Sequence, residues 1–493
     1  MVKIKFDIPE EITEITKKIQ NSGFEAFLVG GCVRDLFLNI KPKDWDIATN
    51  AKPEDIQNIF EHTFYENNFG TVGVVNDKKD IDETLKIVEV TPYRLESTYS
   101  NNRHPDQVKF SNKLEDDLKR RDFTINALCY NPQTKEIIDL YNGINDLQKK
   151  ELRTVGKPDE RFQEDSLRIL RAMRFTTQLG FTINEETKKS IKKNEYLLKN
   201  ISKERIRDEF LKILNTKDIT KIFFLMLETN VINHISPKFR EAVGVIQGGG
   251  HKFDVFEHLV RTCQHAIDKN WSEDIRLAAL FHDIGKPKTA RWNKEKNKNT
   301  FYGHEVVGAH VTKQILTNLK FPVKQREKVV NLVRNHMFFS DPDKITLSAV
   351  RRIIRKVGGE KNVWDLIKLR ICDRIGMGRP KEQPYRLRQY QAMIEEAMRS
   401  PISVKDLKIN GEDLMNLFSL KPGPKIGLIL NALMAITLFK PENNNRKFLI
   451  EQSEKYSILS DSELKSLAES GKEAIIEKEK EEIKKLHKKH SVK

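Results

Sequence analysis

Two glycines, an arginine and two aspartates near the start of this 493-residue chain have the types and spacing to act on a phosphoanhydride. They lie in Phe27-Leu-Val-Gly-Gly-Cys-Val-Arg-Asp35 and in Lys43-Asp-Trp-Asp-Ile-Ala-Thr49. Gly30 and Gly31 lack Cβ atoms, so their backbone N–H groups can approach a triphosphate, and the next segment can aim a helix N-terminus at the anion. Arg34 adds positive charge, with Asp35 beside it. On a strand, alternate side chains share a face, which would point Asp44 and Asp46 the same way and Trp45 into the packing. Two hard oxygen ligands on one face suit magnesium, which takes a few carboxylates with waters and substrate phosphates. Metal held there would activate an attacking hydroxyl and stabilise a pyrophosphate leaving group. Each half alone also fits a tight turn or a solvated loop. Side by side they read as a phosphate grip next to a metal grip.

A second cluster is Glu164-Asp-Ser-Leu-Arg-Ile-Leu-Arg-Ala-Met-Arg-Phe175. Leu167, Leu170 and Phe175 fit the apolar face of a helix, and Asp165 and Arg168, three apart, are neighbours on another face. A carboxylate and a guanidinium side by side offer acceptors and donors in one plane, enough to read the edge of a base or to make an ordinary intrahelical ion pair. Arg171 and Arg174 continue the basic line and either grip phosphate or are solvated. A third cluster combines imidazoles and carboxylates: His258, the His282-Asp283 pair, His304, His336 and Asp373. His282-Asp283 falls at the end of a helix that Gly285 and Pro287 would terminate. Adjacent His282 and Asp283 could reach one divalent ion or bridge two. A single buried histidine is more often a core residue, but several in series with carboxylates point to a metal centre.

The elements that must position these groups divide the chain. Residues 1 to about 150 mix short strand-like runs with helices, and the rest reads as mostly helical. Among the later segments, Ile426 to Phe439 is apolar but interrupted by Asn431 and Thr437 and too short to span a bilayer. Glu463 to Lys493 is a charged Lys/Glu run with Ile475, Ile476, Ile483 and Leu486 at helix-like positions, its last ten residues reading as solvated or frayed.

The first motifs together resemble the signature of the class II tRNA nucleotidyltransferases, the CCA-adding enzymes and their bacterial poly(A) polymerase relatives. The resemblance continues through Phe69-Gly-Thr-Val-Gly-Val74 and Val88-Glu-Val-Thr-Pro-Tyr-Arg94, where Glu89 stands in the place of a third acidic residue. Arg94 to Pro105 looks like the family's loop that switches the site between nucleotides. Lys119-Arg-Arg-Asp-Phe-Thr-Ile-Asn-Ala-Leu128 is similar to its second motif, which implies contacts from Arg121, Asp122 and Asn126 to sugar and phosphates. Asp139 to Leu147 resembles the close of the head, and Ser202 to Leu214 the last neck motif. In the family, the Glu-Asp-x-x-Arg segment selects cytosine and adenine, and Asp165 and Arg168 match the reading pair. The third cluster resembles the HD phosphohydrolase superfamily: His258, His282, Asp283 and Asp373 match its basic ligand set, and His304 and His336 match the additional ligands of its two-metal members.

The resemblance implies an α+β head with a mixed sheet over residues 1–150, a helical neck over 151–247, an HD domain over 248–380 and a helical body or tail over 381–493, whose charged run either is solvated or binds tRNA through phosphate contacts. It implies template-independent addition of CCA to tRNA from CTP and ATP with magnesium, beside a metal-dependent phosphohydrolase whose metal is unspecified. Poly(A) polymerase, or CC-only or A-only addition, would carry nearly the same head; an HD hydrolase with the head reduced to an RNA-binding platform is the reading from another class. Lys and Arg number 87 against 71 Asp and Glu, a net charge of +16 that suits a polyanion such as RNA. The reading assigns no DNA and no membrane partner. Cys32, Cys129, Cys263 and Cys372 stand far apart without a Cys-x-x-Cys pair, which suits reduced thiols in a cytoplasm. The N-terminus lacks the long apolar core of a signal peptide.

Overall fold

The structure, a computed structural model, describes residues 2–65, 70–78, 81–96, 108–248, 250–295, 297–338, 342, 344–398 and 404–492. The chain forms two compact units, residues 1–334 with 372–380, and residues 335–371 with 381–493.

The first unit begins with a mixed sheet. Its strands are β1 (Val2–Lys3), β2 (Ala26–Val29), β3 (Asp46–Thr49), β4 (Thr63–Tyr65), β5 (Val72–Val75), β6 (Ile87–Pro92), β9 (Leu128–Asn131) and β10 (Glu136–Asp139), with β7 (Arg94–Glu96) and β8 (Val108–Phe110) forming a separate hairpin. The sheet order is β1-β10-β9-β2-β3-β6-β5-β4, antiparallel throughout except for the parallel pair β3 and β6. β-Branched and aliphatic residues fill its centre: Val29, Ile47, Val72, Val88 and Val90 are all buried, each contributing roughly 1.5–3 kcal/mol relative to exposure. Five helices flank the strands: α1 (Glu10–Asn21), α2 (Gly31–Phe37), α3 (Pro53–Ile59), α4 (Leu114–Lys119) and α5 (Gly143–Lys149). Ile12, Ile15, Thr16 and Ile19 recur at helical spacing and bury one face of α1. Of the loop expected over Arg94 to Pro105, residues 97–105 lie outside the described residues, as does Phe69.

The neck follows as α6 (Pro158–Glu164), α7 (Leu167–Leu179), α8 (Glu185–Asn194) and α9 (Lys203–Leu214). Gly180, at φ +71, ends α7 in the left-handed conformation that glycine adopts without a Cβ penalty. Beyond it, helices Val255–Asp268, Glu273–Phe281 and His304–Asn318, with the C-terminal end of Glu360–Gly376, carry the third cluster. The mostly helical expectation holds here with two exceptions. Glu151–Leu152 pairs in parallel with Thr182–Ile183, and Arg291–Asn293 pairs antiparallel with Lys298–Thr300.

In the second unit, Leu414, Ile429, Leu433, Leu449 and Leu464 make a core shared by helices Gly411–Phe418, Pro424–Phe439, Arg446–Ser457 and Asp461–Lys489. The apolar run from Ile426 is therefore a core helix. The chain's end is tied down where the sequence suggested fraying. Lys489 and His490 pair with Glu395 at 2.7 and 3.1 Å, Arg388 donates to the His490 carbonyl, and Val492 is 9% exposed. No helix among the described residues is long and apolar enough to cross a membrane.

Candidate active site and metal centre

β2 leads directly into the first site. Gly30 follows it at φ +77, and a Cβ there would stand 2.9 Å from Arg121 Nη1 and 3.5 Å from Asp46 Oδ2. Glycine is required both by the backbone conformation and by the groups crowding it. Asp46 opens β3, and its partner in the parallel register is Glu89 on β6. Partners in register point to the same face, so two carboxylates meet beside the glycine turn. Asp44 departs from the expected strand: it occupies an exposed bend ahead of β3, because the extended segment starts only at Asp46. Trp45 between them is buried at 3% exposure, as alternation requires.

An array of guanidiniums surrounds this turn. Arg34 donates from Nε to Asp35 at 2.8 Å and from Nη1 to the Asn126 side chain at 2.8 Å. Arg121 binds Asp117 Oδ2 through Nε at 3.1 Å and Nη2 at 2.9 Å, and Arg120 takes the other oxygen of the same carboxylate. Asp117 is fully buried and is a residue the sequence reading missed. Its signal was the i, i+3 and i, i+4 spacing to Arg120 and Arg121, just past the end of α4. Asp122 accepts from Arg171 Nε at 2.8 Å, the Asn126 amide at 3.1 Å and the Phe123 N–H at 2.8 Å. Burial pushes its carboxyl up, but Arg171, Asn126 and Arg168 outweigh burial and hold it down at about 2. Asp35 moves the opposite way: burial raises it, Arg34 lowers it, and nearby Asp44 raises it again. The guanidiniums of Arg34, Arg171 and Arg174 all lie over Phe175, at 5.3, 5.4 and 4.6 Å from the ring centroid. One aromatic ring thus gathers three like charges by its quadrupole.

The segment expected to read the base is not one continuous helix. Glu164 ends α6, Asp165 is extended at φ −136, and α7 begins at Leu167. Asp165 Oδ1 accepts the Leu167 N–H at 3.1 Å, capping α7, while Oδ2 pairs with Arg205 on α9 at 3.1 Å. Arg168 binds Glu164 at 2.7 Å and the carbonyls of Arg161 and Arg120 at 3.2 and 2.7 Å. Asp165 and Arg168 are therefore each held by other groups rather than by one another. Of the five guanidinium protons of Arg168, these bonds use three, leaving Nε–H and one Nη2–H. Glu164 and Arg205, the holders, were not picked out from sequence as site residues. Arg174 pairs with Glu209 of α9 at 2.9 Å, so it is spent on neck packing as well as on Phe175.

One cleft of ≈ 1130 Å³ collects these groups. Gly30, Gly31, Arg34, Asp35, Asp44, Asp46, Arg121, Asp122, Asn126, Asp165, Arg168, Arg171 and Arg174 line it, and Glu89 sits beside Asp46 on the neighbouring strand. Arg94, Arg120, Arg205, Lys212 and Lys217 add further cations. Basic side chains outnumber acidic ones in the lining, so the cleft attracts polyanions while its carboxylates cluster by the glycine turn.

The third cluster also converges. His258 Nε2 lies 3.1 Å from His282 Nε2, 3.2 Å from Asp283 Oδ2 and 3.4 Å from Asp373 Oδ1. His282 Nε2 lies 3.2 and 3.8 Å from the same two carboxylate oxygens. Donor atoms sharing one ion about 2.1 Å away stand roughly 3–3.5 Å apart, so these four fit a single divalent metal. His282 Nδ1 donates to the Ala279 carbonyl at 2.9 Å, which turns Nε2 toward the set. The second oxygen of Asp283 faces His304 Nε2 at 3.2 Å, and His304 Nδ1 donates to the Phe301 carbonyl at 2.7 Å. Burial opposes a charge on His282, yet Asp283 and Asp373 push it up to about 10; the donor set calls for positive charge. Lys286, also missed, answers Asp283 at 2.5 Å. Gly285 makes the approach possible, since a Cβ there would fall on the His304 carbonyl and the Gly308 amide. His336 is buried and opens the turn His336–Phe338 in the second unit.

Comparisons with known proteins bear on the same residues. Residues 26–153 match the family model described as Poly A polymerase head domain, 180–243 the probable RNA and SrmB-binding site of polymerase A, and 255–386 the HD domain. A CCA-adding enzyme of Ligilactobacillus salivarius is 31% identical over 470 residues, covering 91% of this chain and 98% of the relative. One from Enterococcus faecalis is 44% identical over 247 residues, 49% of this chain and 57% of that relative. The crystal structure of the Bacillus stearothermophilus CCA-adding enzyme in complex with CTP superposes with a TM-score of 0.57 at 25% identity, covering 91% of this chain and 98% of that one.

Proposed function

Since this chain belongs to the family of the CCA-adding enzymes, we propose that it adds C, C and A in turn to the 3′ end of tRNA, consuming CTP and ATP and releasing pyrophosphate. The observation that carries this reading is the single cleft in which the glycine turn, the acidic pair and the base-reading segment meet. Each predicted group has a task there. The Gly30 and Gly31 amides and the cations around them receive the triphosphate. Asp46, with Glu89 in register beside it and Asp44 in the bend ahead, would hold magnesium, which supplies activation of the attacking tRNA hydroxyl and charge for the departing pyrophosphate. Asp165 and Arg168, immobilised by Arg205 and Glu164, keep an acceptor and two N–H donors for the base edge. Because protein side chains do the selecting, no nucleic-acid template is needed.

The HD centre serves a second reaction. His258, His282, Asp283 and Asp373 would hold a divalent metal that supplies an acidified water for attack on a phosphoester. Asp283, which also faces His304, has a second oxygen with which to bridge a further ion. Lys286 balances its charge and stands ready for a substrate phosphate. A damaged tRNA end carrying a 2′,3′-cyclic phosphate is the substrate that joins the two activities, since opening and removing that phosphate exposes the hydroxyl that the head must extend.

Incubating the chain with tRNA ending at the discriminator base, CTP, ATP and magnesium, and resolving products by single nucleotides, tests the first reaction. Addition that halts after CCA is expected. A long A ladder would instead mean poly(A) synthesis, and a stop after CC a partial enzyme. For the second, an Asp283→Ala chain that still clears cyclic phosphate ends at the parent rate would sink the assignment.

A further inference from the structure

Between the His282-Asp283 pair and His304 the chain inserts the hairpin Arg291–Asn293/Lys298–Thr300, in register Arg291↔Thr300, Trp292↔Asn299 and Asn293↔Lys298. A lone two-stranded hairpin is marginal in water. This one is anchored. Asn299 donates to the Ile246 carbonyl at 2.9 Å. Past the second strand, the Phe301 carbonyl holds His304 at 2.7 Å, and the Phe301 ring lies 5.5 Å beneath Lys286, the residue that answers Asp283. The base of the hairpin is thereby continuous with the metal centre.

Its outer surface has a different character. Trp292 is 60% exposed and Tyr302 is 78% exposed, the largest aromatic exposures among the described residues of the first unit. Around them the described residues of segment 286–302 carry Lys286, Lys288, Arg291, Lys294 and Lys298 against a single acid, Glu295. Large rings left in water beside a reactive centre mark a binding surface. Rings interleaved with cations, rather than a continuous apolar groove, match a strand whose bases stack and whose phosphates need neutralising.

We propose that this hairpin is a platform for the single-stranded 3′-terminal nucleotides of an RNA, stacking bases on Trp292 and Tyr302 and delivering the terminal phosphate to the HD centre. The proposal rests on reading that centre as a phosphohydrolase of RNA ends. There, water adds across one P–O bond of the cyclic phosphodiester, leaving a phosphomonoester and a hydroxyl. The hairpin contributes no atom to that step; it sets which substrates arrive.

The test uses the full chain loaded with manganese and two substrates: a short oligoribonucleotide ending in a 2′,3′-cyclic phosphate, and the mononucleotide 2′,3′-cyclic AMP. In the Trp292→Ala/Tyr302→Ala variant, kcat/KM for the oligonucleotide is expected to fall about tenfold to hundredfold, through KM, and more steeply as salt is raised. The mononucleotide rate and CCA addition should stay within about twofold, and Trp292→Phe should restore most of the loss. An oligonucleotide rate equal to the parent's overturns the proposal, and so does an equal fall on both substrates, which would mean a damaged centre. A parallel measurement stands apart from hydrolysis: an oligonucleotide with 4-thiouridine at its 3′ end, crosslinked to the His282→Ala chain, should label Trp292 or Tyr302. If the parent hydrolyses neither substrate, the phosphohydrolase reading falls, and crosslinking elsewhere on the chain then refutes the platform as well.

Discussion

Asp122→Asn removes one negative charge from the junction between the sheet domain and the neck while keeping the side chain's shape. In the structure this carboxylate takes Arg171 from α7 through two nitrogens, at 2.8 and 2.7 Å, and is held at about 2 against an ordinary value of 3.8. A depression of that size corresponds to about 2 kcal/mol of stabilisation, at about 1.4 kcal/mol per pH unit. Its sign follows from the direction of the shift. The contribution is complete above the unfolded value, near pH 4, and disappears as the pH falls toward about 2. Native-state hydrogen exchange of peptides covering β9 and α7, in the parent, Asp122→Asn, Arg171→Gln and the double variant, reads it locally. At pH 7 the single variant should lose about 2 kcal/mol and the cycle should show coupling above about 1 kcal/mol; both should shrink below pH 4. The KM for CTP should rise roughly tenfold, since Arg171 loses the partner that aims it across Phe175. A loss that does not change between pH 7 and pH 3, or coupling below about 0.5 kcal/mol, would refute the ion-pair argument and leave only a packing effect.

Gly30→Ala should abolish nucleotide addition without unfolding the chain, because the new Cβ meets Arg121 at 2.9 Å and a positive φ costs about 1–2 kcal/mol; circular dichroism beside the addition assay checks both halves. Asp46→Asn and His282→Ala should separate the two activities, the first losing CCA addition by at least about a hundredfold and keeping cyclic phosphatase, the second the reverse. Gly285→Ala should cost about 1–3 kcal/mol and weaken metal retention at the HD centre, since its methyl displaces the His304 turn from Asp283; metal content after dialysis reads this directly. Asp117→Ala should destabilise the first unit by about 3–5 kcal/mol, measured by hydrogen exchange, because Arg120 and Arg121 lose their shared buried partner.

Much of the chemistry was legible because it depends on residue type and short spacing. The glycine turn, the acidic pair around a buried tryptophan, and a His-Asp pair at a helix end each carry their physical reason within a few residues. Short strand-like runs in the first 150 residues and a mostly helical remainder were legible from the residues, whereas the mixed sheet came only with the family resemblance. What stayed hidden were partners distant in sequence. Nothing local says that Arg205 holds Asp165 or that Arg171 of the neck is spent on Asp122. The hairpin at Arg291 to Thr300 escaped for another reason: its strands are short and polar, so period-2 alternation has little apolar contrast to display.

By itself, then, the amino-acid order determined which groups were available and in what local conformation: backbone rules act over one to four residues, and apolar period selects strand or helix. Only tertiary structure decided which of those groups share a volume. Asp46 and Glu89 are separated by two intervening strands in the chain and become neighbours because β3 and β6 pair in parallel. Asp165 and Arg168, adjacent enough to pair, are instead drawn to Arg205 and Glu164, because a break between α6 and α7 turns them onto different neighbours. Local propensity cannot encode the choice of Asp165, since Arg205 reaches it from a segment that meets it only after folding.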